Sequence, residues 1–80
     1  MKNIKLKVGD FLIPRKDINF IYHKIYYDKD IEYKISHIYK KNYGVVDKFG
    51  NIFYWDDGNG ELDRYFHSKK IRLKKLESLN

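Results

Sequence analysis

Not one alanine occurs in this chain, whereas isoleucine occurs ten times. Alanine is the best helix former, while β-branched side chains lose rotamer freedom in a helix and pack well on a pleated surface. The balance favours strands, and three segments alternate as half-buried strands should. In residues 31–39, Ile31, Tyr33, Ile35 and Tyr39 are assigned to one face, and Glu32, Lys34 and Ser36 to the other. Residues 43–47 and 51–55 follow. Between them, Asp47-Lys48-Phe49-Gly50-Asn51 puts glycine where a hairpin loop calls for positive φ. The three segments read as an antiparallel meander.

The flanks extend it. Residues 8–13 form a turn and a short strand that Pro14 stops or confines to an edge. Residues 57–60 are a loop, and residues 61–66 one helical turn with Leu62, Tyr65 and Phe66 at i, i+3, i+4 spacing. Residues 69–75 alternate as a strand with Ile71 and Leu73 inward. The spacing of Leu73, Leu76 and Leu79 equally suits a short basic helix, and both alternatives stay open. Residues 15–30 carry Ile18, Phe20, Ile21, Tyr22, Ile25, Tyr26 and Tyr27, too apolar a set for a solvated loop. They are expected to form a long folded-back loop or hairpin packed on the rest.

Five short strands, a long first connection and a helical turn before the last strand follow the order of a Src-homology-3-like barrel, which is the expected fold. An oligonucleotide/oligosaccharide-binding barrel is the rival, but it needs longer strands and a longer helix. Residues 1–80 are read as a single mostly β domain. A chain this short buries roughly 60–65% of its unfolded surface, and partial closure of the sheet protects its edges. Cysteine is absent, which excludes thiol catalysis, cysteine-ligated zinc and a disulfide framework. The opening Met1-Lys2-Asn3-Ile4-Lys5-Leu6-Lys7 lacks the apolar stretch of a signal peptide, and no apolar run approaches the ~20 residues that span a bilayer. A cytoplasmic location without membrane contact is the expectation.

From Tyr26 to Phe66 the chain resembles a family of short phage and prophage proteins of Gram-positive bacteria. The likeness is carried by Tyr27, Tyr33-Lys34-Ile35, Val45-Val46-Asp47-Lys48-Phe49-Gly50, Phe53-Tyr54-Trp55 and Leu62-Asp63-Arg64-Tyr65-Phe66. Lys29-Asp30-Ile31-Glu32 stands where that family's pattern has a Gly-Lys turn. The resemblance covers about half the chain and implies a barrel of mobile-element origin, with no activity attached. Ile, Lys, Asn and Tyr make up 38 of the 80 residues, and all four have AT-rich codons, so part of the lysine excess reflects mutational bias.

Residues suited to catalysis are sparse. Ser36, Ser68 and Ser78 are the non-tyrosine hydroxyls, and none lies in a glycine-flanked elbow. His23, His37 and His67 are fourteen and thirty residues apart, outside metal-ligand spacing, and His37 is assigned to the apolar face of its strand. Asp56-Asp57-Gly58-Asn59-Gly60-Glu61-Leu62-Asp63 superficially suggests a calcium loop, but counting from Asp57 puts Ser68 at the twelfth position, where an EF-hand has glutamate. It reads instead as a turn whose carboxylates cap the next helical turn. No enzyme, metal or cofactor is expected.

Seventeen basic against eleven acidic side chains give a formal charge of +6. Two function classes lead, and self-assembly through an exposed strand edge stays open as a third reading. The first is a non-enzymatic module, encoded by a phage or mobile element, that docks on a host protein and inhibits or modulates it, with anti-defence roles such as CRISPR inhibition within the class. Aromatic anchors Tyr22, Tyr26, Tyr27 and Trp55, with Asp56 and Asp57 setting register, are its candidate site. The alternative is a non-specific nucleic-acid binder, or a binder of a nucleoprotein complex, with Lys5, Lys7, Arg15, Lys69, Lys70, Arg72, Lys74 and Lys75 as its contacts. Tyr22, Tyr26, Tyr27, Tyr54 and Trp55 would supply flat faces for bases. A monomer or weak homodimer is expected, and three quarters of the aromatic rings are assigned to the core.

Overall fold

The computed structural model describes residues 5–69. Strand β1 (Phe11–Pro14) leads into a hairpin of β2 (Ile18–Phe20) and β3 (Ile25–Tyr27), joined by a 3-10 turn (Ile21–His23). Then come β4 (Tyr33–Tyr39), β5 (Asn42–Val46), β6 (Ile52–Asp56), the helical turn α1 (Glu61–Tyr65) and β7 (Phe66–Ser68). Five strands make one curled antiparallel sheet in the order β6-β5-β4-β1-β7, and β2–β3 forms a separate two-stranded ribbon. This is a Src-homology-3-like half-barrel, with the ribbon inserted between its first two sheet strands. Residues 15–30 thus contain the expected folded-back hairpin. The strand or helix expected over residues 69–79, including Ile71, Leu73, Leu76 and Leu79, falls almost wholly outside the described residues. The last described strand follows α1 directly.

Pro14 ends β1 as its missing N–H requires. It is in register with Phe66 of β7 but lies past the β4 pairing, which covers only Phe11 and Leu12. The expected alternation of β4 holds through Ile35 and then breaks. Ile35 opposes Val45 but His37 opposes Gly44, so an extra residue at Ser36 forms a β-bulge. Beyond it the faces exchange: Ile38 packs against the core, while His37 and Tyr39 point to solvent. The assignment of Tyr39 and His37 to the buried face is therefore corrected. Ile31, ahead of the strand, is also exposed.

The core gathers Leu12, Ile18, Ile25, Tyr27, Tyr33, Ile35, Val45, Trp55, Leu62 and Phe66. Trp55 is its centre, with Phe53, Tyr65 and Phe66 rings all 5.0 Å away and Tyr27 at 5.9 Å. Without alanine to fill gaps, tilted and edge-on aromatic pairs do the packing.

A buried carboxylate fastens the hairpin to the sheet. Asp47 is 4% exposed. One of its oxygens accepts the Phe49 and Asn51 amides at 2.9 and 2.7 Å, closing the β5–β6 turn, where Gly50 takes φ +86°. The other accepts the Tyr26 amide of β3 at 2.9 Å. Hydrogen bonds to a charged acceptor are worth more than neutral ones, and removing the acceptor leaves three amides without this partner. Asp47→Asn keeps the acceptor for the turn but presents N–H to N–H at Tyr26. It should lower the unfolding free energy by about 2 kcal/mol in urea titration. Asp47→Ala should cost about 4 kcal/mol, comparable to what so small a core supplies, and leave much of the chain unfolded.

Candidate functional site

The β2–β3 hairpin presents a side-chain pair that the core does not use. Ile18 and Ile25 turn inward and seat the ribbon on the sheet. At the far end Lys24 takes a left-handed conformation, φ 56°, and its amide closes the 3-10 turn onto the Ile21 carbonyl at 3.2 Å. The Asn51 side chain donates to the Lys24 carbonyl at 3.2 Å, tying the tip to the β5–β6 turn. The tip is therefore held from two sides, yet it exposes Ile21 at 75% and Tyr22 at 99%.

Behind the tip lies a seam of half-buried rings. Phe20 sits 5.4 Å from Phe53, 5.6 Å from Trp55 and 6.3 Å from Tyr65, bridging ribbon, sheet and helical turn. His23 packs on Phe53 at 5.7 Å, and the Lys16 ammonium lies 5.4 Å over the Tyr65 ring. Phe20, Phe53, Tyr43 and Tyr65 are each partly exposed, so the open mouth of the half-barrel is aromatic.

The residues expected to anchor a partner separate into different places. Tyr22 is at the exposed tip. Tyr26 is half-buried, edge-on to Phe49 at 5.5 Å, and its backbone serves Asp47 and Lys48. Tyr27 and Trp55 are fully buried, so as surface anchors they are corrected to core residues. The Tyr27 hydroxyl donates to the Val45 carbonyl at 2.6 Å and receives the Trp55 indole N–H at 3.5 Å. Asp56 accepts the Gly58 amide at 2.7 Å within its own loop, and the Asp57 amide donates to the Lys41 carbonyl at 2.8 Å. Glu61 and Asp63 of the acidic run stand in the first turn of α1, while Gly60 is the N-cap without a side-chain bond and Asn59 Oδ1 accepts the Glu61 amide at 2.9 Å.

Four of the cations proposed for nucleic acid, Lys70, Arg72, Lys74 and Lys75, lie outside the described residues. Lys5 and Lys7 are exposed. Arg15 donates through Nε to the Asp63 and Phe66 carbonyls at 2.9 and 3.2 Å. Lys69 pairs with Glu32 at 3.1 Å and lies 5.3 Å over Phe11. Residues 5–69 hold twelve basic and ten acidic side chains, a net +2, so most of the +6 belongs to the remaining residues. Phe11 and Glu32, the two residues that Lys69 meets, line an open depression of about 580 Å³ together with Ile31, Tyr33, Val46 and the Lys48–Asp28 ion pair. Asp28 holds the Lys48 ammonium above its usual pKa. Among the described residues no group of three His, Asp or Glu is placed to hold a metal ion. No helix there is long and apolar enough to cross a membrane.

Phe20, Phe53 and Tyr65 are missed as site residues by sequence reasoning, because a half-exposed ring and a buried one look alike in an alternating strand. Comparisons with protein-family models, with curated proteins and with solved structures find no match to this chain.

Burial pushes the Tyr27 hydroxyl well above the ordinary tyrosine pKa, and it raises Tyr33 and Tyr43 in the same sense. A phenol whose folded pKa is raised stabilises the fold fully below its unfolded value of about 10 and loses that contribution as pH rises beyond it. Stability measured by urea titration should therefore fall above pH 10, and Tyr27→Phe should flatten the fall while costing about 1 kcal/mol at neutral pH. Trp55→Ala should cost about 3–5 kcal/mol and unfold the chain rather than uncouple it from a partner, as loss of the near-ultraviolet dichroism at 25 °C would show.

Proposed function

We propose that this chain is a non-enzymatic protein-binding module that engages its partner with the tip of the β2–β3 hairpin. The carrying observation is the pair Ile21 and Tyr22, 75% and 99% exposed on a turn whose backbone is fixed from both sides. Exposed large apolar side chains on an ordered turn bury much area at small entropic cost, which is how interface anchors work. Phe20, Phe53 and Tyr65, with Lys16 and His23 at the rim, form the aromatic floor beside that tip. The hydrophobic and aromatic character favours a protein partner over a polyanion for this surface.

The resemblance to phage and prophage proteins supports a host protein as the partner and inhibition or modulation of it as the outcome, anti-defence roles included. The surplus of positive charge suits an acidic target surface. Tyr22 makes almost no contact within the fold, so Tyr22→Ala isolates binding from stability. Immobilised full-length chain should capture a saturable partner from a Gram-positive host lysate. Tyr22→Ala should weaken that capture by about 30-fold, a hot-spot loss near 2 kcal/mol, with an unchanged melting temperature. Equal capture by wild type and by Tyr22→Ala combined with Ile21→Asp would remove the tip from the interface.

A further inference from the structure

We infer that the outer face of strands β4–β6 is a binding platform for single-stranded nucleic acid, separate from the hairpin tip. Its centre is Gly44. A Cβ at that position would lie 3.0 Å from Tyr54 Cε1, 3.1 Å from Ile52 Cγ2 and 3.3 Å from His37 Cβ. The Tyr54 ring therefore lies down over the glycine, one side against the backbone, while the residue remains 52% exposed. A ring laid on a sheet in this way offers its outer π-face to solvent, and a π-face accepts any base.

The β4 bulge brings two more rings to this face. His37 is 6.5 Å from Tyr54, and Ser36 Oγ lies 2.9 Å from His37 Nδ1. Tyr39, 67% exposed, stands one step further along β4. Strand and residue spacings put Tyr39 roughly 12 Å from Tyr54, a span of two or three nucleotides.

The charge on this face is of the sign phosphate requires. Lys40 holds its ammonium 5.5 Å over the Tyr39 ring, Lys41 is exposed beside it in sequence and Lys34 is exposed at the other end of β4, none of the three in an ion pair among the described residues. Asp56, the acid in register here, is turned into its own loop by the Gly58 amide. Lys40 also occupies the left-handed region, φ 55°, in a two-residue connection between Tyr39 and Asn42. Glycine or asparagine is the residue that such a position favours. The strain is tolerated where it holds an ammonium beside an exposed ring.

The test is fluorescence anisotropy with a labelled mixed-sequence 12-nucleotide DNA strand and its duplex, on the full chain. The single strand should bind more tightly than the duplex, and three phosphate contacts should weaken binding about 10- to 20-fold between 50 and 200 mM salt. Tyr54→Ala should reduce affinity about 5- to 150-fold, and Tyr54→Phe, which keeps the ring, should restore it. Lys40→Glu with Lys41→Glu should lower affinity at least tenfold, whereas Tyr22→Ala should leave it unchanged. Amide shifts on titration should centre on His37, Gly44 and Tyr54. No binding at 50 mM salt would overturn the inference. So would binding that survives Tyr54→Ala but is lost on reversing Lys70, Arg72 and Lys74, or Tyr54-dependent self-association without affinity for the oligonucleotide.

Discussion

The Asp47 carboxylate is the joint on which the rest of this half-barrel depends. A charged group 4% exposed is costly unless its lone pairs are used, and here three backbone amides use them. Two of those amides belong to its own turn and the third to β3, twenty-one residues earlier in the chain. The Lys48 amide adds a fourth link by donating to the Tyr26 carbonyl at 2.9 Å. With β3 held there, the adjacent Tyr27 enters the core, where its hydroxyl reaches Val45 and its ring meets Tyr33 and Phe66 edge-on at 5.0 and 5.4 Å. Strand β3 is thus fixed to the sheet by polar bonds at Tyr26 and by ring contacts at Tyr27, and β2 by the Phe20 ring against Phe53 and Trp55. A tip so anchored can carry Ile21 and Tyr22 into solvent without losing its shape.

Much of this architecture is legible in the order of the residues. The meander follows from alternation around the Asp47–Asn51 turn, and the hairpin from seven apolar residues in a stretch too long and too apolar to be a solvated loop. What alternation does not reveal is the bulge at Ser36, because one extra residue leaves the pattern locally intact while exchanging the faces beyond it. That exchange moves Tyr39 and His37 outward and Ile38 inward. Trp55 and Tyr27 were drawn toward the surface by the same difficulty from the other side. In a core without alanine, large rings are the filling, and nothing in a period of two distinguishes a ring that fills from a ring that binds. Nine of the fourteen aromatics are buried or half-buried, fewer than the three quarters assigned to the core.

Charge was similarly averaged by sequence reasoning. A net +6 spread over eighty residues suggests a basic protein, yet residues 5–69 carry only +2. Several cations of that body have local work: Arg15 binds two carbonyls near the end of α1, Lys48 pairs with Asp28, and Lys69 pairs with Glu32. Position, not count, therefore determines which lysines are available to a ligand.

Mutational bias accounts for the number of lysines better than for their placement. The AT-rich codons that supply lysine supply asparagine equally, and asparagine tolerates left-handed backbone far better. Yet lysine occupies that conformation at both Lys24, φ 56°, and Lys40, φ 55°. Each stands at the tip of a hairpin beside an exposed aromatic residue, Lys24 close to Tyr22 and Lys40 next to Tyr39. The hairpin tip belongs to the ribbon covering the inner side of the sheet, where Phe20 meets Phe53 and Trp55, whereas Tyr39 and Tyr54 lie on its outer side. Because strand side chains alternate between faces, substitutions on one surface leave the other in place. The two surfaces proposed for a protein and for a polyanion therefore fall on opposite sides of one sheet, each with an exposed tyrosine beside a left-handed lysine.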